Sequence, residues 1–263
     1  MTNLKKSTLR TYEKIVNRIV NTIESTGKDF QKDVADFISS SSSKGTFNSR
    51  LSAVKHYLSD DAEVIESILS QVKKPSFTKV KSKRLDLKKL PSDWQEQMFN
   101  KLKKTGSTYL KAIAVLQATG CRPVELENGV RIEKNYYGDF VITIQSAKGR
   151  DGFERKITSS LPILAELFSE DEEIVIAKYK RLSEVLYTIS RSLGMSISAY
   201  SYRHAFASDL KASGLSQSEI AMCMGHKTLG SQRSYGFKRS GEQTFVKSVE
   251  VKAINEISHD MSM

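Results

Sequence analysis

Apolar positions in the first quarter of the chain recur at three- and four-residue steps. In STLRTYEKIVNRIVNTIESTG, Leu9, Tyr12, Ile15, Val16, Ile19 and Ile23 fall on one stripe, the spacing of an amphipathic helix. Ser7 or Thr8 can cap its start, and Gly27 ends it. The same period continues over 29–39, 46–57 and 61–71, with SSSSSKG and SDD between, so residues 7–72 are expected to form a small helical bundle. The pattern breaks at 73–89, KKPSFTKVKSKRLDLKK, which holds eight basic residues and one acid, Asp86. Such a run reads as a solvated linker. Helical spacing resumes after Pro91-Ser92-Asp93, with Trp94, Met98 and Leu102, and a further helix over 107–118 stops at Thr119-Gly120. The period then shortens to two. FVITI (140–144) and FERKI (153–157) flank QSAKGRDG, where Gly149 and Gly152 favour a turn, so a hairpin is expected. From Ser160 onward the text is helical again. Val246, Val249, Ala253, Ile254 and Ile257 make one apolar face and predict a tail helix over about 241–258. The expected fold is mainly α with a small antiparallel β-sheet, in two domains, 1–72 and 92–263, joined by a basic linker over 73–91.

Composition changes this picture in one respect. Hydrophobic residues make up 39% and charged residues 27%, an ordinary globular balance. The charge is not ordinary: 41 lysines and arginines face 30 acids, a formal +11. That surplus favours a polyanionic partner, although a merely soluble basic protein has the same composition. The two cysteines, Cys121 and Cys223, lie in apolar helical text, and with four scattered histidines they suggest neither a disulfide framework nor a metal site. A reducing cytoplasm is the expected compartment. The opening MTNLKKSTLR lacks the apolar core of a signal peptide, and the most apolar stretch, 109–118, is short and contains Lys111, so no membrane association is expected.

Five motifs carry candidate chemistry: Arg122 and Glu125 in TGCRPVEL, Lys148 in QSAKGRDG, Arg203 in YSYRHAFASDL, His226 in MGHKTLG and Tyr235 in SQRSYGF. Cleaving a phosphodiester without metal means removing on the order of 20 kcal/mol from the barrier. Two guanidiniums suit this, because each offers a planar fork of donors to phosphate oxygens as charge builds up. A lysine in a turn can protonate the leaving 5′ oxygen, and a histidine adds a donor to a non-bridging oxygen. A phenol can be the nucleophile, since an aryl phosphodiester keeps the bond energy needed for religation. Arg203 precedes His226 by 23 residues, and His226 precedes Tyr235 by nine. Ser216 and Glu219 form a capping box for a helix ending at Gly225, which puts His226 directly after a helix C-terminus and Tyr235 in a short helical segment beyond it. Each motif also has a plainer reading. Arg122 could be a helix-end partner of Glu125 or Glu127, Lys148 could be a solubilising turn lysine beside Arg150, Arg155 and Lys156, and Tyr235 could be a core aromatic. His204 reads as a structural histidine facing the core.

Taken together, residues 92–237 resemble the catalytic domain of the tyrosine recombinases, the family of phage integrases and Xer-type recombinases. Its pattern is an arginine after Thr-Gly, a hairpin lysine, His-x-x-Arg, Gly-His and a tyrosine nine residues on. Arg122, Lys148, Arg203, His226 and Tyr235 fall on matching positions, and Glu125 falls where the family carries a supporting acid. The resemblance implies a C-shaped clamp on double-stranded DNA, with a helical core-binding domain of the SAM-like type over 1–72. It also implies paired recombination sites, a dimer on each site and a tetramer in synapsis. No cofactor or metal is expected, and the implied source is bacterial, archaeal, viral or a mobile element. The tail helix would dock on a neighbouring protomer. Lys44, Arg50 and Lys55 near the third helix, and Lys73, Lys74, Lys81, Lys83 and Arg84 in the linker, are the expected phosphate contacts. One position departs from the family: Tyr200 stands where it has His or Lys, the group assigned to taking the nucleophile's proton. A phenol is a poorer base at neutral pH. Two other functions share these features, a type IB topoisomerase and a non-catalytic DNA-binding accessory protein on a recombinase scaffold.

Overall fold

A computed structural model describes residues 4, 6–26, 29–77, 86–147, 153–169, 172–226, 228–238, 241–242 and 244–252. The chain divides into two compact units, Met1–Val80 and Lys81–Met263.

The first unit is the expected bundle: α1 (Lys6–Thr26), α2 (Phe30–Ser39), α3 (Lys44–Tyr57) and α4 (Ala62–Gln71). Asp29, Ser43 and Asp61 cap the last three by accepting from the backbone N–H of Gln31, Thr46 and Val64. Ile19, Val34, Ile38, Phe47, Val54 and Ile68 make its core. Phe77, past the end of α4, packs edge-on against Phe47 at 5.8 Å between ring centroids. The start of the basic run therefore belongs to this unit, while its middle, 78–85, lies outside the described residues. At its other end a 3-10 turn (Leu87–Lys89) brings Leu87 and Leu90 onto the core of the second unit.

The second unit wraps helices around one sheet. Its elements are α5 (Trp94–Lys104), α6 (Leu110–Thr119), α7 (Pro123–Glu127), β1 (Val130–Lys134), β2 (Phe140–Gln145), β3 (Glu154–Ser159), α8 (Pro162–Leu167) and β4 (Glu172–Val175). They continue with α9 (Tyr179–Ser192), α10 (Ala199–Ala212), α11 (Gln217–Met224), a 3-10 turn (Leu229–Ser234) and β5 (Val246–Lys252). The five strands are antiparallel in the order β4-β1-β2-β3-β5. Val130, Ile132, Phe140, Ile142, Ile144 and Ile157 face the helices, so the alternation in the sequence is the inner face of the sheet. Among the described residues no helix is long and apolar enough to cross a membrane.

The expected hairpin is β2–β3, and three further strands join it. The tail is where the expectation has to be corrected: residues 246–252 form β5, not a helix, and they pair with β3 of their own chain. Residues 253–258 of the expected helix lie outside the described residues. The misreading has a physical cause. Ser159 pairs with Val246 but Thr158 with Ser248, so Lys247 is an extra residue in a bulge. The bulge puts Val246 and Val249, three apart, on one face of a strand, which mimics a helical step. Replacing Val249, which packs on the core opposite Ile157, with alanine is expected to lower stability by about 1–2 kcal/mol. Replacing exposed Lys247 with alanine changes it by less than about 0.5 kcal/mol. Urea unfolding at two protein concentrations checks both. A loss that varied with concentration would place the strand on a second copy.

Candidate active site

Two helices of the second unit end pointing at the same place. α6 stops at left-handed Gly120, and α11 stops at left-handed Gly225. Their terminal carbonyls carry the partial negative charge of a helix C-terminus and attract cations. Arg203, from the middle of α10, donates through Nη1 to the Gly120 carbonyl at 2.6 Å and through Nη2 to the Met224 carbonyl at 2.5 Å. Arg122, the residue before α7, donates through Nη2 to the Gly225 carbonyl at 3.0 Å. Both arginines are buried, and this is how the fold tolerates it.

Glu125 completes the framework. Its Oε2 accepts the Arg122 backbone N–H at 2.8 Å, fixing the first turn of α7, and its Oε1 accepts from Arg122 Nη1 at 2.8 Å. On its other side stands Arg155, whose Nη2 donates to Oε2 at 2.8 Å. Arg155 lies on the inner face of β3, opposite Ile144 on β2, and is fully buried. The sequence places it among turn cations, but its phase in the strand points it inward, and that phase was the available signal. Burial alone would raise the Glu125 pKa; the charge and hydrogen bond of Arg155, and then Arg122, outweigh it and hold the carboxyl at about 2.

His226 follows Gly225 and is buried. Its Nε2 lies 3.1 Å from Arg203 Nη2. A guanidinium can only donate, so Nε2 accepts and the ring proton sits on Nδ1. Burial, then Arg203, Arg122, Arg155 and Lys211, push its pKa down to about 3, so the ring is neutral. Burial, followed by Arg122 and Arg155, likewise holds Arg203 below its ordinary value.

Tyr235 comes directly after the 3-10 turn and is half-buried. Its ring contacts His204 and His226, each at 5.1 Å between centroids, and the Arg203 guanidinium carbon lies 4.9 Å from its centre. His204 is buried as expected, but it also forms one wall around the phenol. Tyr200, one turn before Arg203 on α10, is near enough to feel the charges of Tyr235, Arg203 and Arg122. Burial, followed by Tyr235, raises its pKa, so it stays protonated.

Arg122, Glu125, Tyr200, Arg203, His226 and Tyr235 are thus one cluster. Lys148, Lys81, Lys83 and Arg84 lie outside the described residues. Lys44, Lys55, Lys73 and Lys74 are exposed on the first unit. Arg50, the remaining expected phosphate contact on this unit, is half-buried. Its guanidinium lies 3.9 Å from the Phe37 ring centre, with the Phe37 carbonyl and Ser40 Oγ as acceptors, and so it ties α3 to the end of α2.

Among the described residues, three buried guanidiniums gather around one carboxylate, to which Arg122 and Arg155 are bonded, an excess of two positive charges. Among the described residues Arg203 Nε, Arg155 Nε and His226 Nδ1 have no hydrogen-bond partner. Buried charge and orphan donors are costly unless a ligand answers them, and an anion has the chemistry to do so. Substituting Glu125 with glutamine is expected to destabilise the fold by about 3–5 kcal/mol, measured by urea unfolding at pH 7. Because the folded pKa is depressed, the Glu125 contribution is complete above about 4.5 and is lost as pH falls through about 2. The difference between wild type and variant should shrink over that window.

No protein-family model matches the chain, and no curated protein matches it by sequence. Solved structures do match. A lambda integrase dimer bound to a core site is 14% identical, with a TM-score of 0.57 over 88% of this chain and 72% of that one. XerH site-specific recombinase bound to its difH substrate is 16% identical, with a TM-score of 0.55 over 86% of this chain and 76% of that one. The Tn1549 transposon integrase in complex with a circular-intermediate DNA is 13% identical, with a TM-score of 0.54 over 90% and 91%. Identities at this level speak to architecture, and on that measure the chain has the tyrosine recombinase fold.

Proposed function

We propose that this chain is a site-specific DNA recombinase that cleaves and rejoins strands through a 3′-phosphotyrosine at Tyr235 and a Holliday junction. The observation that carries this reading is the uncompensated cationic cluster beside a half-buried phenol. The Tyr235 oxygen attacks phosphorus, the bond to the 5′ oxygen breaks, and Lys148 protonates that oxygen as it leaves. Arg122 and Arg203 hold the non-bridging oxygens while negative charge builds on them. His226 and Tyr200 add neutral donors. A 5′ hydroxyl from the partner duplex then reverses the step, so the number of phosphodiester bonds is unchanged and no cofactor is needed. The two units would close as a clamp on double-stranded DNA, with Lys44, Arg50, Lys55, Lys73, Lys74, Lys81, Lys83 and Arg84 on the backbone. Protomers would pair on each site and assemble as a tetramer in synapsis. The similar structures are of recombinases and integrases bound to DNA, which supports the same partner.

The test is a DNA duplex nicked next to the scissile phosphate, which traps the covalent intermediate. Wild type should leave a protein–DNA adduct, and the Tyr235→Phe variant should bind the same DNA without forming one. An adduct formed by the variant would overturn the assignment of Tyr235. Binding without any adduct by the wild type would leave a DNA-binding protein on this scaffold.

The pKa directions add a prediction. His226 is neutral with a pKa near 3, and Tyr200 is held protonated. Neither is a base poised near neutrality to take the phenol's proton, which passes to water instead. The second-order rate of adduct formation, measured below saturation and so reporting the DNA-free protein, should therefore rise with pH across the neutral range, with no inflection near 6.5. Rapid-quench measurements from pH 6 to 9 check this.

A further inference from the structure

The chain around and beyond Tyr235 is fastened to α10 by a row of polar side chains. Lys211 Nζ donates to the carbonyls of Tyr235 and Gly236, the latter at 3.2 Å. Ser208 Oγ accepts the Phe237 N–H at 3.1 Å, Asp209 Oδ1 accepts the Glu242 N–H at 2.8 Å, and Ser213 Oγ accepts the Thr244 N–H at 3.0 Å. The backbones are close enough that a Cβ on Gly236, at φ +49, would lie 2.6 Å from the Ser208 nitrogen. A lysine in the last turn of a helix ordinarily answers that helix's own carbonyls. Here two of its acceptors are the carbonyl of Tyr235 and that of the next residue.

Tyr235 needs such an anchor. It follows a six-residue 3-10 turn, not a regular helix, and 3-10 hydrogen bonds hold a backbone less well. Yet its ring must keep its place against His204, His226 and Arg203. A displacement of about 1 Å at a reacting group can cost on the order of a hundredfold in rate.

We propose that Lys211 is a positioning residue for Tyr235: its ammonium pins the carbonyl of Tyr235 and that of the next residue and so aims the hydroxyl at the anion site. This rests on the reading of Tyr235 as nucleophile, and the experiment separates the two. Lys211→Met and Lys211→Arg are compared with wild type in two assays. The first is single-turnover adduct formation on nicked DNA, with DNA affinity measured in parallel. Lys211→Met should lower the rate about 10- to 100-fold at unchanged Kd. Lys211→Arg should restore most of it, because a guanidinium also spans two carbonyls. The second is hydrogen exchange in the DNA-free protein, which requires no activity. Lys211→Met should speed exchange at the Phe237 amide about tenfold and leave the β2 amides unchanged. Wild-type cleavage and wild-type exchange in Lys211→Met would overturn the proposal. So would a loss of affinity matching the loss of rate, which would make Lys211 a DNA contact. If wild type forms no adduct, the nucleophile reading fails, and the exchange assay still decides whether Lys211 holds the segment.

Discussion

The second unit depends on one carboxylate held between two guanidiniums. Glu125 is fully buried, with Arg122 on one side and Arg155 on the other. Removing its charge would leave three cations facing one another in a low-dielectric interior, so it is what allows them to be assembled at all. The pairing is incomplete, since one negative charge answers three positive ones. The deficit would be hard to explain in a purely structural network, and it is what an anion site requires.

Backbone carbonyls make up much of the difference. The ends of α6 and α11 converge so that Gly120, Met224 and Gly225 present oxygens to Arg203 and Arg122. These dipoles lower the cost of burying the guanidiniums without neutralising them. The left-handed turn at Gly225 has a second use: a Cβ there would lie 2.7 Å from Arg155 Nη1. The glycine that ends α11 thus leaves room for the arginine from β3. Helix ends, sheet face and charge cluster are one packing solution.

Much of this was legible in the chain. The helices of the first unit were written in apolar spacing and caps, and α2, α3 and α4 begin within one or two residues of the expected positions. Arg122, Arg203, His226 and Tyr235 could be named because each sits beside a local signal, a Thr-Gly stop, a helix or a Gly-His. Arg155 was missed although the strand's own alternation marks it, since it shares the inward phase of Ile157 two residues on. Lys211 was hidden, since its acceptors lie 24 and 25 residues away. The tail failed for a local reason: a bulge changed the phase of a strand, and a strand with a phase change can imitate a helix.

That tail strand has a mechanical consequence. β5 pairs with β3, Val251 opposite Arg155, and it is joined to Tyr235 by the ten residues 236–245. Fully extended, that tether reaches roughly 35 Å, but it is fastened at Phe237, Glu242 and Thr244 to Ser208, Asp209 and Ser213. A large excursion of the tyrosine would first have to release those fastenings and would then pull on the Val246 end of an edge strand. The tether ends on the strand next to the one that carries Arg155, so a tug from the tyrosine would be passed to the arginine that braces Glu125.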